Sequence, residues 1–159
     1  GLNGLYINLR GREPSGTVNP GTEYQELLDR IEKELLETVD PDTGQRAVTL
    51  VVQSRRDFHG EYADDGPDIV VGYNWGYRSS WTSPLGEFPK QVFTDNIEAW
   101  SGDHSVDYRL VPGVLIANRP ITLDAPALYD LTVAVLDEYG VEKTEEMIGQ
   151  DCLGAAAGP

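Results

Sequence analysis

Histidine and cysteine are nearly absent from this 159-residue chain, which carries two of the first and one of the second. A lone cysteine, Cys152, closes no intramolecular disulfide, so nothing marks a stapled secreted module. Asp151 and Leu153 beside it offer no cation to stabilise a thiolate, and an inert thiol is expected. Basic residues are also scarce, with 12 Lys and Arg against 27 Asp and Glu and a formal charge of -15. Such a field repels phosphate backbones and anionic lipid, so neither nucleic acid nor a membrane is expected as a partner. No apolar run approaches the roughly 20 residues of a membrane span, and the N-terminus lacks the basic and hydrophobic regions of a signal peptide. A soluble chain is expected, with a cytoplasmic location favoured. Nucleophile-elbow, P-loop and dinucleotide-binding patterns are missing as well, which leaves classical acyl transfer and nucleotide-kinase chemistry without support.

The acids that are present lie between apolar residues, as on the solvated face of a globular protein and unlike a disordered acidic tail. The length suits one domain with a real core, or a large piece of a bigger one. The chain opens on Gly1 and enters a strand-like pattern at once, which reads as a cut from a longer protein. Residues 4–9 are apolar enough for a buried strand, and residues 10–21 form a turn-rich connection. Thr22 and Gln25 make a capping box for a helix whose Tyr24, Leu27, Leu28, Ile31 and Leu35 share one face, with Glu26 and Arg30 paired on the wet side. A turn at residues 40–44 leads to an interior strand over 47–53, a second buried strand over 68–73 and a third over 114–117. Leu128, Leu131, Thr132, Val135, Leu136 and Tyr139 form a second amphipathic helix stopped by Gly140. Strands alternating with helices predict an α/β fold, a layered, mostly parallel sheet with flanking helices, in one domain over 1–153 with a flexible tail at 154–159.

Residues 74–107 hold Gly, Ser, Trp, Tyr and Asn without a sustained period, as functional loops do. Within them, Gly76 to Trp81 sets Arg78 between the aromatic rings of Tyr77 and Trp81. A forked guanidinium beside two π faces suits an anion or base, and aromatic packing over a sheet edge is the ordinary alternative. Further on, DNIEAWSGDHSVD sets His104 among acids and small residues. Imidazole is a favoured ligand of zinc, yet a zinc centre needs three or four protein ligands, and a hydrogen-bonded structural histidine is the bland reading. His59 stands beside Asp57 and Glu61 with no second His or Cys at ligand spacing, as an exposed strand-end residue does. Asp40, Asp42 and Gly44 imitate the start of a calcium loop, but Val51 stands where its closing Glu would be, which favours an Asx-type turn.

Read in order, GLNGLYINLRGRE, DPDTG, PDIVVGYNWGYRSSW, DNIEAWSGDHSVD, VPGVLIANRPI and LYDLTVAVLDEYGV resemble the C-terminal part of alkaline phosphatase superfamily enzymes, in their type I phosphodiesterase and nucleotide pyrophosphatase branch. The resemblance covers nearly the whole chain and rests on the order and spacing of several segments. It implies an alkaline-phosphatase-like layered sheet and a phosphate-ester substrate. It further implies two divalent metals, zinc above all, flanking a Thr or Ser nucleophile. His104 matches the last metal ligand of the family, with Asp103 or Asp107 as the acceptor that orients its ring. Arg78, with Tyr77 and Trp81, would lie near the substrate phosphate. The nucleophile and the other metal ligands have no match here, so the expected role is to supply one ligand and part of the pocket, with no complete metal site and no turnover in the chain alone. Loss of the remainder of such a fold would expose sheet edges and favour a homodimer. The competing expectation is a self-contained acidic α/β module that binds a ligand or partner through residues 74–107.

Overall fold

The computed structural model describes residues 3–87 and 89–154. They fall into two compact units, residues 1–112 and 113–159. The first contains β1 (Gly4–Leu5), α1 (Thr22–Glu37), β2 (Val48–Gln53), the single turn α2 (Ser54–Asp57) and β3 (Ile69–Tyr73); the second contains α3 (Leu128–Glu138). Among the described residues no helix is long and apolar enough to cross a membrane.

The expected mostly parallel, alkaline-phosphatase-like sheet is not what forms. The sheet has three strands in the order β1-β3-β2, and both of its pairings are antiparallel. β1 and β2 do run in the same direction with α1 as their crossover, as the alternating pattern implies, but β3 is inserted between them in reverse. The cause lies in residues 54–68, whose only helices are one four-residue turn and a three-residue 3-10 turn. Without a helix to carry the chain back across the sheet, β3 re-enters against β2 instead of parallel to it. Nor does the strand expected over 114–117 form; Val114 and Ile116 are 87% and 88% exposed.

Apolar residues of α1 fall where the helical spacing puts them, and Tyr24 and Leu28 are buried against Ile7, Leu9, Val48, Val51, Ile69 and Val71. Burial of a side chain such as Leu28 is worth about 1.5–3 kcal/mol. The Thr22 capping box, in contrast, is absent. Gly21 takes the N-cap with φ of 91°, and its carbonyl accepts the first helical bond from the Gln25 N–H. The Gln25 amide is then free to donate to Asp29 and to Gln53. On the wet side the ion pair is Arg30 with Glu34 and not with Glu26.

A bulge in β2 fixes which face each of its residues shows. Val48 opposes Tyr73 and Leu50 opposes Gly72, so Thr49 is the extra residue. That extra step lets Val48 and Val51 both enter the core and turns the Thr49 hydroxyl toward Asp107, 2.8 Å away.

In the second unit α3 ends as expected, with Gly140 at φ of 64°. Its buried face is different from the one the periodicity implies. Asp130, Val133 and Ala134 are buried, while Leu128 and Tyr139 are 82% and 80% exposed. The Asp130 carboxylate accepts the N–H groups of Ala127 and Gln150, which draws that helix face toward the buried Cys152 segment. Most of the expected tail lies outside the described residues.

Candidate functional site

The turn that leaves β3 begins with Asn74, whose amide donates to the Arg46 carbonyl at 2.8 Å while its side-chain oxygen accepts the Trp75 N–H. Gly76, at φ of 80°, completes the turn, and the Tyr77 N–H returns to the Asn74 carbonyl. The chain then runs through the long loop and comes back beside β3. There Ser105 and Asp107 bracket Tyr73, whose N–H donates to the Ser105 carbonyl and whose carbonyl accepts the Asp107 N–H. This parallel bridge, Tyr73 to Val106, joins the two segments that sequence analysis singled out.

Gly72 makes the approach possible. A Cβ there would stand 2.9 Å from the Leu50 Cβ and 3.0 Å from the Asp107 Cα. No larger residue fits without displacing a strand.

Of the Tyr77, Arg78 and Trp81 group, Arg78 and Trp81 stay together while the Tyr77 hydroxyl turns elsewhere. The Tyr77 hydroxyl is held by Asp40 and Thr43, both at 2.7 Å, while its ring meets Phe93 of the later loop edge-on with centroids 6.2 Å apart. Asp40 itself makes an Asx turn by accepting the Asp42 N–H, and the Tyr77 hydroxyl followed by that N–H holds its carboxyl below the usual range. Arg78 turns toward residues 100–103 and lies under the Trp81 ring, 4.9 Å from its centroid. Its Nη1 donates to the carbonyls of Trp100 at 3.1 Å and Gly102 at 3.5 Å, and its Nε faces Asp103 Oδ2 at 3.5 Å.

His104 projects outward from this loop, and its imidazole makes no hydrogen bond or ion pair among the described residues. The two acids expected to orient it are otherwise engaged. Asp103 Oδ1 accepts the backbone N–H groups of His104 and Ser105, at 2.6 and 3.1 Å. Burial pushes the Asp103 carboxyl pKa up, but these N–H groups and the Arg78 charge outweigh it and leave the net shift downward. Asp107 is buried, bonded to Thr49 and ion-paired with Arg109 at 2.7 Å. The Arg109 hydrogen bonds lower its pKa to about 2. Thr49, Gly72 and Arg109 drew no attention in the sequence because their roles depend on a strand bulge and on a contact between distant segments. A glycine in the middle of an apolar strand was the one available sign of close backbone approach.

His59 is exposed in the turn after α2. Among the described residues no group of three or more His, Cys, Asp and Glu side chains is arranged to hold a metal ion. His104 therefore stands as a solvent-facing imidazole on a loop whose neighbouring acids are held by other partners.

No protein-family model matches the chain, and comparison with curated proteins and with solved structures gives no match. Nothing in these comparisons links the chain to the alkaline phosphatase superfamily.

Proposed function

We propose that this chain is the C-terminal portion of a metal-dependent phosphohydrolase, similar to phosphodiesterases and nucleotide pyrophosphatases, and that it contributes His104 as one metal ligand together with part of the substrate pocket. The observation that carries this reading is the contrast around His104. Asp103, Ser105 and Asp107 all have protein partners, while the imidazole between them has none among the described residues. Among the loop side chains without a partner among the described residues, which include Lys90, Asp95 and Glu98, the imidazole is the favoured ligand for a borderline divalent cation.

A neutral imidazole is the form that binds a borderline divalent cation. When bound, a pair of such cations would lower the pKa of a hydroxyl nucleophile and neutralise charge on the phosphoryl oxygens. The residues here would hold one ligand, with Asp103 setting the turn that carries it, and would line part of the pocket with Arg78 and Trp81. The nucleophile and the remaining ligands would come from residues outside this sequence.

The test is zinc-dependent hydrolysis of a chromogenic phosphodiester by the full-length protein, with and without His104→Ala. Loss of about 100-fold or more in activity, with unchanged thermal stability, is the expected result. The open reading frame before Gly1 should also encode a Thr or Ser nucleophile and an Asp-His pair; a start codon adjoining Gly1 would defeat the reading.

One observation favours a second reading, a self-contained acidic module that binds a ligand or partner through residues 74–107. All three tryptophans of the chain lie there, and Trp75, Trp81 and Trp100 are 62%, 51% and 66% exposed. Exposed aromatic residues are enriched in recognition surfaces. That reading predicts no hydrolysis by the full-length protein and no effect of zinc.

A further inference from the structure

We propose that Arg78 is a positioning residue, the clasp that gives the His104 loop its shape; the consequence for His104 rests on the reading above, while the clasp itself does not. Residues 89–104 make no backbone-to-backbone hydrogen bond among the described residues, so no ladder or helix defines their path. Side chains must do it. Asn96 donates to the Trp100 carbonyl at 2.9 Å and accepts the Glu98 N–H, which closes the first part of the loop. Arg78 closes the second part from outside it, reaching the Trp100 carbonyl, the Gly102 carbonyl and the Asp103 carboxylate with one planar group.

The surroundings favour a fixed guanidinium over a mobile one. The Arg78 side chain is 12% exposed and the Asp103 side chain 13% exposed, so the pair is largely removed from water and little screened. The Trp81 ring covers the guanidinium plane, a contact that arginine makes through its flat delocalised cation. Asp103 Oδ2 is buried without a hydrogen bond, and the Arg78 cation 3.5 Å away is what offsets its charge. The opposite oxygen of the same carboxylate holds the N–H groups of His104 and Ser105. Arg78 thus fixes Asp103, and Asp103 fixes the backbone from which the imidazole projects.

Lysine at position 78 would keep the charge and lose the fork, since one ammonium cannot span two carbonyls and a carboxylate in this plane. The test is amide hydrogen exchange on the chain carrying Arg78→Lys, together with zinc affinity of the full-length protein. Exchange at the His104 and Ser105 amides is expected to quicken about 10-fold or more while β2 and β3 keep their protection. Zinc affinity is expected to fall by about 10-fold, in the range seen when the groups that support a metal ligand are removed. Asp103→Asn, which leaves an acceptor but no charge for Arg78, should loosen the same two amides, and it decides the matter if Arg78→Lys opens the core as well. Unchanged exchange at both amides in both variants would overturn the clasp. Faster exchange without any zinc binding that depends on His104 would uphold the clasp and remove His104 as a ligand. Unchanged exchange with zinc binding lost in His104→Ala would do the reverse.

Discussion

Arg12 grips Asp68 with two parallel hydrogen bonds, Nη1 to Oδ1 at 2.8 Å and Nη2 to Oδ2 at 2.6 Å, and so ties the turn after β1 to the entrance of β3. The Asp68 side chain is 2% exposed, and the hydroxyl of Tyr24 and the N–H of Ile7 occupy what remains of its accepting capacity. Burial raises the Asp68 pKa, but the hydrogen bonds from Arg12, Tyr24 and Ile7 outweigh that and hold it below the usual carboxylate range. This pair fixes β1 to the sheet far more firmly than its two-residue strand pairing could.

Removal of one partner leaves the other buried charge without compensation. Arg12→Ala is expected to destabilise the chain by about 2–4 kcal/mol, below the largest values for such pairs because Arg12 is itself partly exposed. Tyr24→Phe, which removes one hydrogen bond to the same carboxylate, should cost about 1–2 kcal/mol. Urea unfolding of both variants checks the order; a Tyr24→Phe effect equal to that of Arg12→Ala would mean that the ion pair is not the main tie.

At Gly72 the expected effect reaches the candidate site as well as the sheet. Gly72→Val would drive a side chain into Leu50 and Asp107, at a cost of about 1–3 kcal/mol from overpacking. Relief by movement of residues 105–107 should break the two hydrogen bonds on Tyr73, which exchange of the Asp107 and Tyr73 amides would reveal. A well-folded variant with both amides still protected would contradict this packing.

The pH dependence follows from Asp107, lowered from 3.8 to about 2 by the Arg109 hydrogen bonds first and the Thr49 hydroxyl among the rest. A carboxyl with a depressed pKa in the folded state contributes stability that is complete above its unfolded pKa and is lost as pH falls through the folded one. Between about pH 4 and 2 the stability gap between wild type and Asp107→Asn should therefore shrink, by on the order of 1 kcal/mol once the half-exposed Arg109 is allowed for. Chemical denaturation across that range reads the gap directly. A constant gap would show that Asp107 titrates alike in the folded and unfolded chain.

For His104, exposure and the lack of an imidazole partner among the described residues predict that His104→Ala changes the stability of the chain by less than about 0.5 kcal/mol. Calorimetry on the chain alone should give weak zinc binding or none, and the chain alone should not turn over a phosphodiester, since its described residues lack a complete ligand group. Tight stoichiometric zinc binding that disappears in His104→Ala would contradict both expectations.

Several parts of this protein were legible in the sequence because they depend on local spacing. The apolar face of α1, the strands 48–53 and 69–73, and the Gly140 stop can each be read from a window of a few residues, since side-chain direction repeats with the backbone period. The loop with His104 was legible for the same reason, as a break in any period. Strand direction was not. Whether β3 lies parallel or antiparallel depends on how the connection before it crosses the sheet, and the alternating pattern is compatible with either. The buried face of α3 was also misread, because the Asp130 contacts to backbone N–H groups outweigh the apolar stripe.

What the sequence by itself determined is the strongly acidic character, the helical face that makes the core, and a histidine set in a loop between acids. Only the tertiary structure decided that Arg78 holds that loop, that Asp107 belongs to Arg109 and Thr49, and that Gly72 must lack a side chain. Apart from Asp107 with Arg109, these contacts join residues far apart in the chain, and their energies depend on distance and burial, which residue order alone does not set.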